Sequence, residues 1–206
     1  MPRSPSRTGR SGSRRASGRV RVRTARGSSE VRVARRLVEE YVRSLPIDLR
    51  FQRIDQELGT FPASYVPPRG RLIVARVGGR PAGCVGVRPL SVSTCEMKRL
   101  YVRPRFRGAG LGRALAVASL RAARSAGYRR MRLDTLGSMT QAMALYRSLG
   151  FREIGPYRYN PEPTARYFEL ELRRPGPPAR SRAGRAGSSA RDSHAGRPRP
   201  RAEPIL

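Results

Sequence analysis

The sequence predicts an α/β fold of the α+β kind, from three observations. Residues 71–77 and 81–90 read as strands joined by Gly78-Gly79, a strong hairpin signal. A third strand, 94–102, runs through a glycine-rich turn with arginines straight into a helical apolar register over 110–126. Further strand and helix patterns follow, giving the order β-α-α-β-β-β-α-β-α-β-β. One hydrophobic core of ordinary size accounts for the central part of a chain of 206 residues.

In chain order, residues 1–18 are rich in Ser, Arg, Gly and Pro and have no periodic apolar face. Ordering such a tail costs roughly 1–2 kcal/mol per residue with little burial to offset it, so it is expected to be disordered. Val20 and Val22 alternate with arginines, which suits a short edge strand. Ser28 or Ser29 can cap a helix to Leu45, with Val31, Ala34, Leu37, Val38, Tyr41 and Val42 at helical spacing and Pro46 beyond. A shorter helix is expected at 51–58, then an irregular link at 59–70 containing Pro62, Pro67 and Pro68. Gly127 stops the helix that follows the glycine turn. Next come a strand at 130–135, a helix at 139–149 closed by Gly150, and strands at 151–155 and 166–172. The domain is thus expected to span 19–174, and a second Arg/Pro/Gly-rich tail, expected to be disordered, spans 175–206.

The formal charge is +30 and Lys98 is the single lysine. Residues 1–29 carry nine arginines and no acids, while 173–206 carry nine arginines with Asp192 and Glu203, so the two ends supply +9 and +7. Tails of this kind attract polyanions weakly and without sequence preference. The bias to Arg, Ala, Gly and Pro is also what a GC-rich coding sequence produces, so charge alone does not specify nucleic acid. Cys84 and Cys95 fall in expected interior strands and read as buried thiols, which fits a reducing, cytoplasmic setting. The chain has neither an apolar run long enough for a membrane span nor a secretory h-region, and its one histidine, His194, lies in the tail, which argues against a metal site.

The turn 107–112 reads Arg107, Gly108, Ala109, Gly110, Leu111, Gly112. Glycines here let backbone N–H groups approach an anion at a helix N-terminus. A Walker loop requires Lys-Ser/Thr after its last glycine, but Arg113 and Ala114 follow. A dinucleotide fingerprint requires glycine at 113. The remaining pattern, Arg-x-x-Gly-x-Gly directly after Leu100, Tyr101 and Val102, resembles the coenzyme A pyrophosphate loop of the GCN5-related N-acetyltransferases (GNAT). Downstream, Ala142, Leu145, Tyr146, Gly150 and Phe151 resemble that family's A-x-x-L-Y-x-x-x-G-F block. The resemblance covers roughly residues 28–172. It implies the GNAT fold, a mixed, mostly antiparallel central sheet with helices on both faces, and acetyl-CoA as the acetyl donor.

The same resemblance implies roles for particular residues. The 107–112 backbone would hold the pyrophosphate, with Arg113, Arg103 or Arg105 adding charge, and the edge of Leu100, Tyr101 and Val102 would align the pantetheine arm. Tyr146 maps to the tyrosine that protonates the leaving thiolate. Glu96, eleven residues before Arg107, matches the catalytic glutamate of the histone-acetylating branch; otherwise it pairs with Lys98 or Arg99, and a water chain serves as base. An acceptor alkylammonium with pKa about 10 needs some such base before it can attack. Many members carry an asparagine seven residues before the tyrosine, where this chain has Met139; Ser138 is the candidate substitute. The segment between the first two helices, with Phe51, Phe61 and Tyr65, and the loop with Tyr157, Tyr159 and Asn160 would border the acceptor, and Asp134 at a strand end would bind or activate it. The expected activity is N-acetylation of a primary amine on a small molecule or amino acid, with a homodimer compatible with exposed sheet edges. The alternatives are acetylation of a protein or peptide, and a non-catalytic coenzyme A-binding regulatory module whose arginine tails dock on polyanions.

Overall fold

The computed structural model describes residues 18–45, 47 and 53–172. Seven strands form one sheet: β1 (Val20–Thr24), β2 (Arg71–Val77), β3 (Arg80–Pro89), β4 (Thr94–Val102), β5 (Arg130–Leu136), β6 (Arg152–Ile154) and β7 (Ala165–Glu171). Their spatial order is β1-β2-β3-β4-β5-β7-β6. All neighbours are antiparallel except β4 and β5, which run parallel. The helices are α1 (Gly27–Arg43), α2 (Ile54–Gly59), α3 (Leu111–Ser125) and α4 (Thr140–Ser148).

Strand alternation divides the interior into two cores, one on each face of the sheet. Leu72, Val74 and Cys84 point to the face covered by Ala34, Leu37 and Val38 of α1 and by Tyr65. Ile73, Ala75, Val85, Val87 and Met97 point the other way, against Leu115, Ala116, Leu120 and Ala123 of α3 and Tyr146 of α4. Burying each of the larger side chains contributes on the order of 1.5–3 kcal/mol. The expected mixed sheet with helices on both faces is therefore the one seen, and Cys84 and Cys95 are free and buried, their thiols pushed up to about 12 by burial.

The start of α1 differs from the expectation. Its N-cap is Arg26, with no side-chain cap bond, so Ser28 and Ser29 lie inside the first turn. Gly27 at φ 72° makes the sharp entry that a serine cap would otherwise mark. Phe51, Pro46 and both arginine-rich tails lie outside the described residues.

Candidate active site

The parallel pair sets the geometry. β4 and β5 are in register only over Thr94–Arg130, Cys95–Met131 and Glu96–Arg132, and beyond that they part. Tyr101 and Val102 thus keep their pairing with β3 on one edge, while β5 no longer pairs with the other edge of Leu100, Tyr101 and Val102. A register shift against β3 accompanies Arg99, whose φ of 57° is left-handed. The extra residue twists the strand where it leaves β5.

Two connected spaces occupy the opening. The first is a cavity of about 100 Å³ lined by Tyr41, Lys98, Arg99, Asp134, Tyr146 and Asn160 among apolar neighbours. The second is a groove of about 670 Å³ that runs along Leu100, Tyr101 and Val102 to Arg107, with Ser138 to Ala142 opposite. Leu100, Met139 and Ala142 line both, so the groove leads into the cavity.

At the far end of the groove the glycine turn meets α3. Gly108 and Gly110 stand at φ 78° and 74°, with open space on the Cβ side of both. Gly110 is the N-cap, and the first intrahelical bond runs from Ala114 N–H to its carbonyl. The amides of Leu111, Gly112 and Arg113 precede that bond and are available to an anion. Leu111 secures the turn by burying its side chain in the α3 core, and Arg107 Nε donates to the Val102 carbonyl at 3.0 Å. Arg107 to Gly110 are all exposed, as a site for a polyphosphate requires. The remaining arginines differ: Arg113 donates to Ser148 at 2.8 Å, Arg103 is paired with Glu40 at 2.7 Å, and Arg105 stacks on Phe106. The residues present fit a coenzyme A pyrophosphate and an extended pantetheine arm. Ser138 lines the groove beside Met139.

Of the two catalytic candidates, only one lines the cavity. Tyr146 does, and burial pushes its phenol far above the ordinary range, so it stays protonated. Glu96 does not line it. Its carboxylate is fully buried and ringed by donors: Arg88 Nε at 2.7 Å and Nη2 at 2.7 Å on one oxygen, Tyr157 Oη at 2.6 Å and Arg158 Nη1 at 3.0 Å on the other. Burial alone would raise this carboxyl, but Lys98, Arg88 and Arg158 outweigh it and hold it at about 2. At that value the carboxyl is ionised at neutral pH, and both its oxygens accept hydrogen bonds from the protein. Its ion pairs run to Arg88 and Arg158, the Lys98 ammonium adds its charge as expected, and Lys98 also pairs with Asp134 at 3.0 Å and Arg99 with Glu57 at 2.9 Å.

Asp134 sits where β5 parts from β4, 5 % exposed, its other oxygen 3.4 Å from Asn160 Nδ2. The 157–160 loop is thus pinned at two points, Tyr157 and Arg158 on Glu96 and Asn160 on Asp134. Asn160 lines the cavity, Tyr157 packs against Tyr167 outside its lining, and Tyr159 is 79 % exposed and not part of it. Tyr65 and Phe61 belong to the α1 core, not to the cavity; Tyr65 donates to Glu57 at 2.8 Å. Sequence reasoning named Lys98 and Arg99 only as partners of Glu96, took Tyr41 only as part of the apolar face of the first helix, and passed over Glu57. A signal existed: Cys95 and Met97 alternate with Glu96 and Lys98 in a strand whose both faces are covered.

A mixed sheet that splits between its parallel strands, with a glycine cradle at one end and an acid-bearing cavity at the other, defines an acyltransferase that takes its acyl group from coenzyme A. The model of the acetyltransferase (GNAT) family matches residues 34–151, and the chain belongs to that family of acetyl-CoA-dependent N-acetyltransferases. Over 138 residues it is 44% identical to an uncharacterized N-acetyltransferase of Schizosaccharomyces pombe, covering 66% of this chain and 85% of that one. Among solved structures, an acetyltransferase from Streptococcus agalactiae superposes with a TM-score of 0.62 at 18% identity, covering 74% of this chain and 98% of the other. A GNAT family acetyltransferase from Elizabethkingia anophelis with acetyl-CoA bound gives 0.55 at 21% identity, covering 74% and 98%.

Proposed function

We propose that this chain acetylates the primary amine of a small molecule by direct attack, with Asp134 as proton acceptor and Tyr146 as proton donor. Acetyl-CoA supplies the acetyl group as a thioester. The backbone of 107–112 binds its pyrophosphate, the free edge of Leu100, Tyr101 and Val102 aligns its arm, and the arm's end points along the groove into the cavity. The Asp134 carboxylate receives the acceptor's ammonium and takes its proton, which frees the nitrogen lone pair. As the N–C bond forms and the C–S bond breaks, Tyr146 gives its phenol proton to the departing sulfur, and the nitrogen releases its second proton to solvent to become the neutral amide. Solvent resets both groups as products leave.

The observation that carries this reading is a single enclosure lined by a carboxylate and a buried phenol and continuous with the groove beside the glycine turn. Its limited volume favours a small acceptor over a folded protein surface. The test is acetyl-CoA-dependent acetylation of pooled small amines, read by mass spectrometry. Tyr146→Phe is expected to lower kcat about 10²-fold or more with the KM for acetyl-CoA nearly kept. Asp134→Asn should do likewise. Unchanged turnover in either variant removes that assignment, and a wild-type enzyme that acetylates no small amine overturns the reading.

A further inference from the structure

The cavity wall includes a primary amine of the chain's own. Lys98 is the one lysine among the chain's 44 lysines and arginines. A guanidinium stays protonated and offers no lone pair to an acyl carbon, so Lys98 alone among them has the chemistry of an acetyl acceptor. It lines the space into which the groove leads, and its Nζ lies 3.0 Å from Asp134 Oδ1. That carboxylate is the group to which the reading above brings the ammonium of a free acceptor. Leu100, which lines both groove and cavity, stands two residues further along β4, at most about 7 Å of chain. A thioester aligned at Leu100 therefore ends within reach of the flexible four-carbon lysine stem. The surroundings favour loss of the proton as well: burial, with Arg99 and Arg158 adding to it, lowers the Lys98 ammonium below the ordinary lysine value against the pull of Glu96 and Asp134. Tyr146, the donor to sulfur, lines the same space.

Resting on the delivery of the thioester into this cavity as read above, we propose that Lys98 is a self-acetylation site, modified by bound acetyl-CoA when no free acceptor fills the cavity. In the step, the Lys98 ammonium gives one proton to the Asp134 carboxylate with which it is paired. The freed Nζ lone pair forms the N–C bond as the C–S bond breaks. Sulfur takes the Tyr146 phenol proton and leaves as the coenzyme A thiol, while the nitrogen's second proton passes to solvent, which also resets Asp134 and Tyr146. The product is a neutral acetamide. It has lost the charge that paired with Asp134, and its acetyl group fills part of a cavity of about 100 Å³, so the modified chain has no room for a further acceptor. A free amine and Lys98 thus compete for one acetyl group, and acetyl-CoA without acceptor switches the enzyme off.

The experiment incubates the full chain with acetyl-CoA alone and follows the modification by intact mass and peptide mapping. The expected product carries one acetyl group on Lys98, gained at least about tenfold faster by the folded chain than by the same chain unfolded in guanidinium chloride. Acetylation that needs no cavity has the opposite order, because folding buries this amine. Free coenzyme A, which fills the groove without an acyl group, should slow the gain, and Tyr146→Phe should slow it about 10²-fold. Small-amine turnover should fall in step with the acetylated fraction. A variant that fails to fold leaves the wild-type comparison of folded with unfolded chain standing. Faster modification of the unfolded chain, acetylation confined to the chain's α-amine, or turnover that survives complete modification of Lys98 overturns this inference, and acetylation of pooled small amines in the same preparation then leaves the small-amine reading intact. Absence of both acetyl-Lys98 and any acetylated small amine overturns both.

Discussion

Four donor atoms within 3.0 Å of one buried carboxylate make Glu96 an anchor. Its folded-state pKa, about 2, lies below its ordinary 4.5, so its contribution to stability is fully present above about pH 4.5 and is lost as pH falls toward 2. The gap corresponds to about 3 kcal/mol. Glu96→Gln is expected to remove that increment, leaving Arg88 and Arg158 without their shared anion, and to flatten the acid-unfolding curve between those pH values; denaturant titrations at pH 7 and pH 3 measure it. Assayed well below its melting temperature, the variant should lose far less than the ~10²–10⁴-fold that deleting a general base costs. A loss of that size at full stability would return the base role to Glu96.

Among the elements, the turn into α3 separates two uses of glycine. Gly110 is required by backbone conformation: a valine at φ 74° costs at least about 1–2 kcal/mol and closes the amide cradle, so Gly110→Val is expected to abolish acetyl-CoA binding by calorimetry. Gly112 has no such demand. A Cβ there would meet Leu145 at an ordinary 3.8 Å, so Gly112→Ala should keep or raise the melting temperature, and any loss of acetyl-CoA affinity in it measures ligand approach alone. The same turn was legible in the sequence because glycine spacing records backbone shape directly. Tyr146 was legible for a similar reason, since its block lies on one short helix. The bulge at Arg99 was not legible: arginine carries no preference for left-handed backbone, and a long-range pairing with Glu57 holds it there. Likewise the motif spacing that singled out Glu96 says nothing of Arg88 and Arg158, which reach it from 8 and 62 residues away. Local chemistry could be read from the chain, whereas the partners that tune it come from distant strands.

For the whole described domain, the two cores meet at β4, which pairs with β3 on both sides of the bulge at Arg99 and with β5 only at its start. The arginine-rich ends stand apart from this arrangement in sequence. Deleting residues 1–18 and 175–206 is expected to leave acetylation of a small acceptor unchanged while removing any adhesion to heparin or nucleic acid that weakens steeply with salt. Equal loss of both activities would tie the tails to the acceptor site.

The solitary lysine also makes this protein its own clock for unfolding. A protease that cuts only after lysine has one target in all 206 residues, and the bond lies in the middle of the central strand beside a side chain 5% exposed. Fraying ends and mobile loops, which nick most proteins first, offer it nothing. Digestion should therefore yield two fragments of about half the chain each, in a single exponential phase whose rate follows opening of β4 and slows when a ligand fills the split beside that strand.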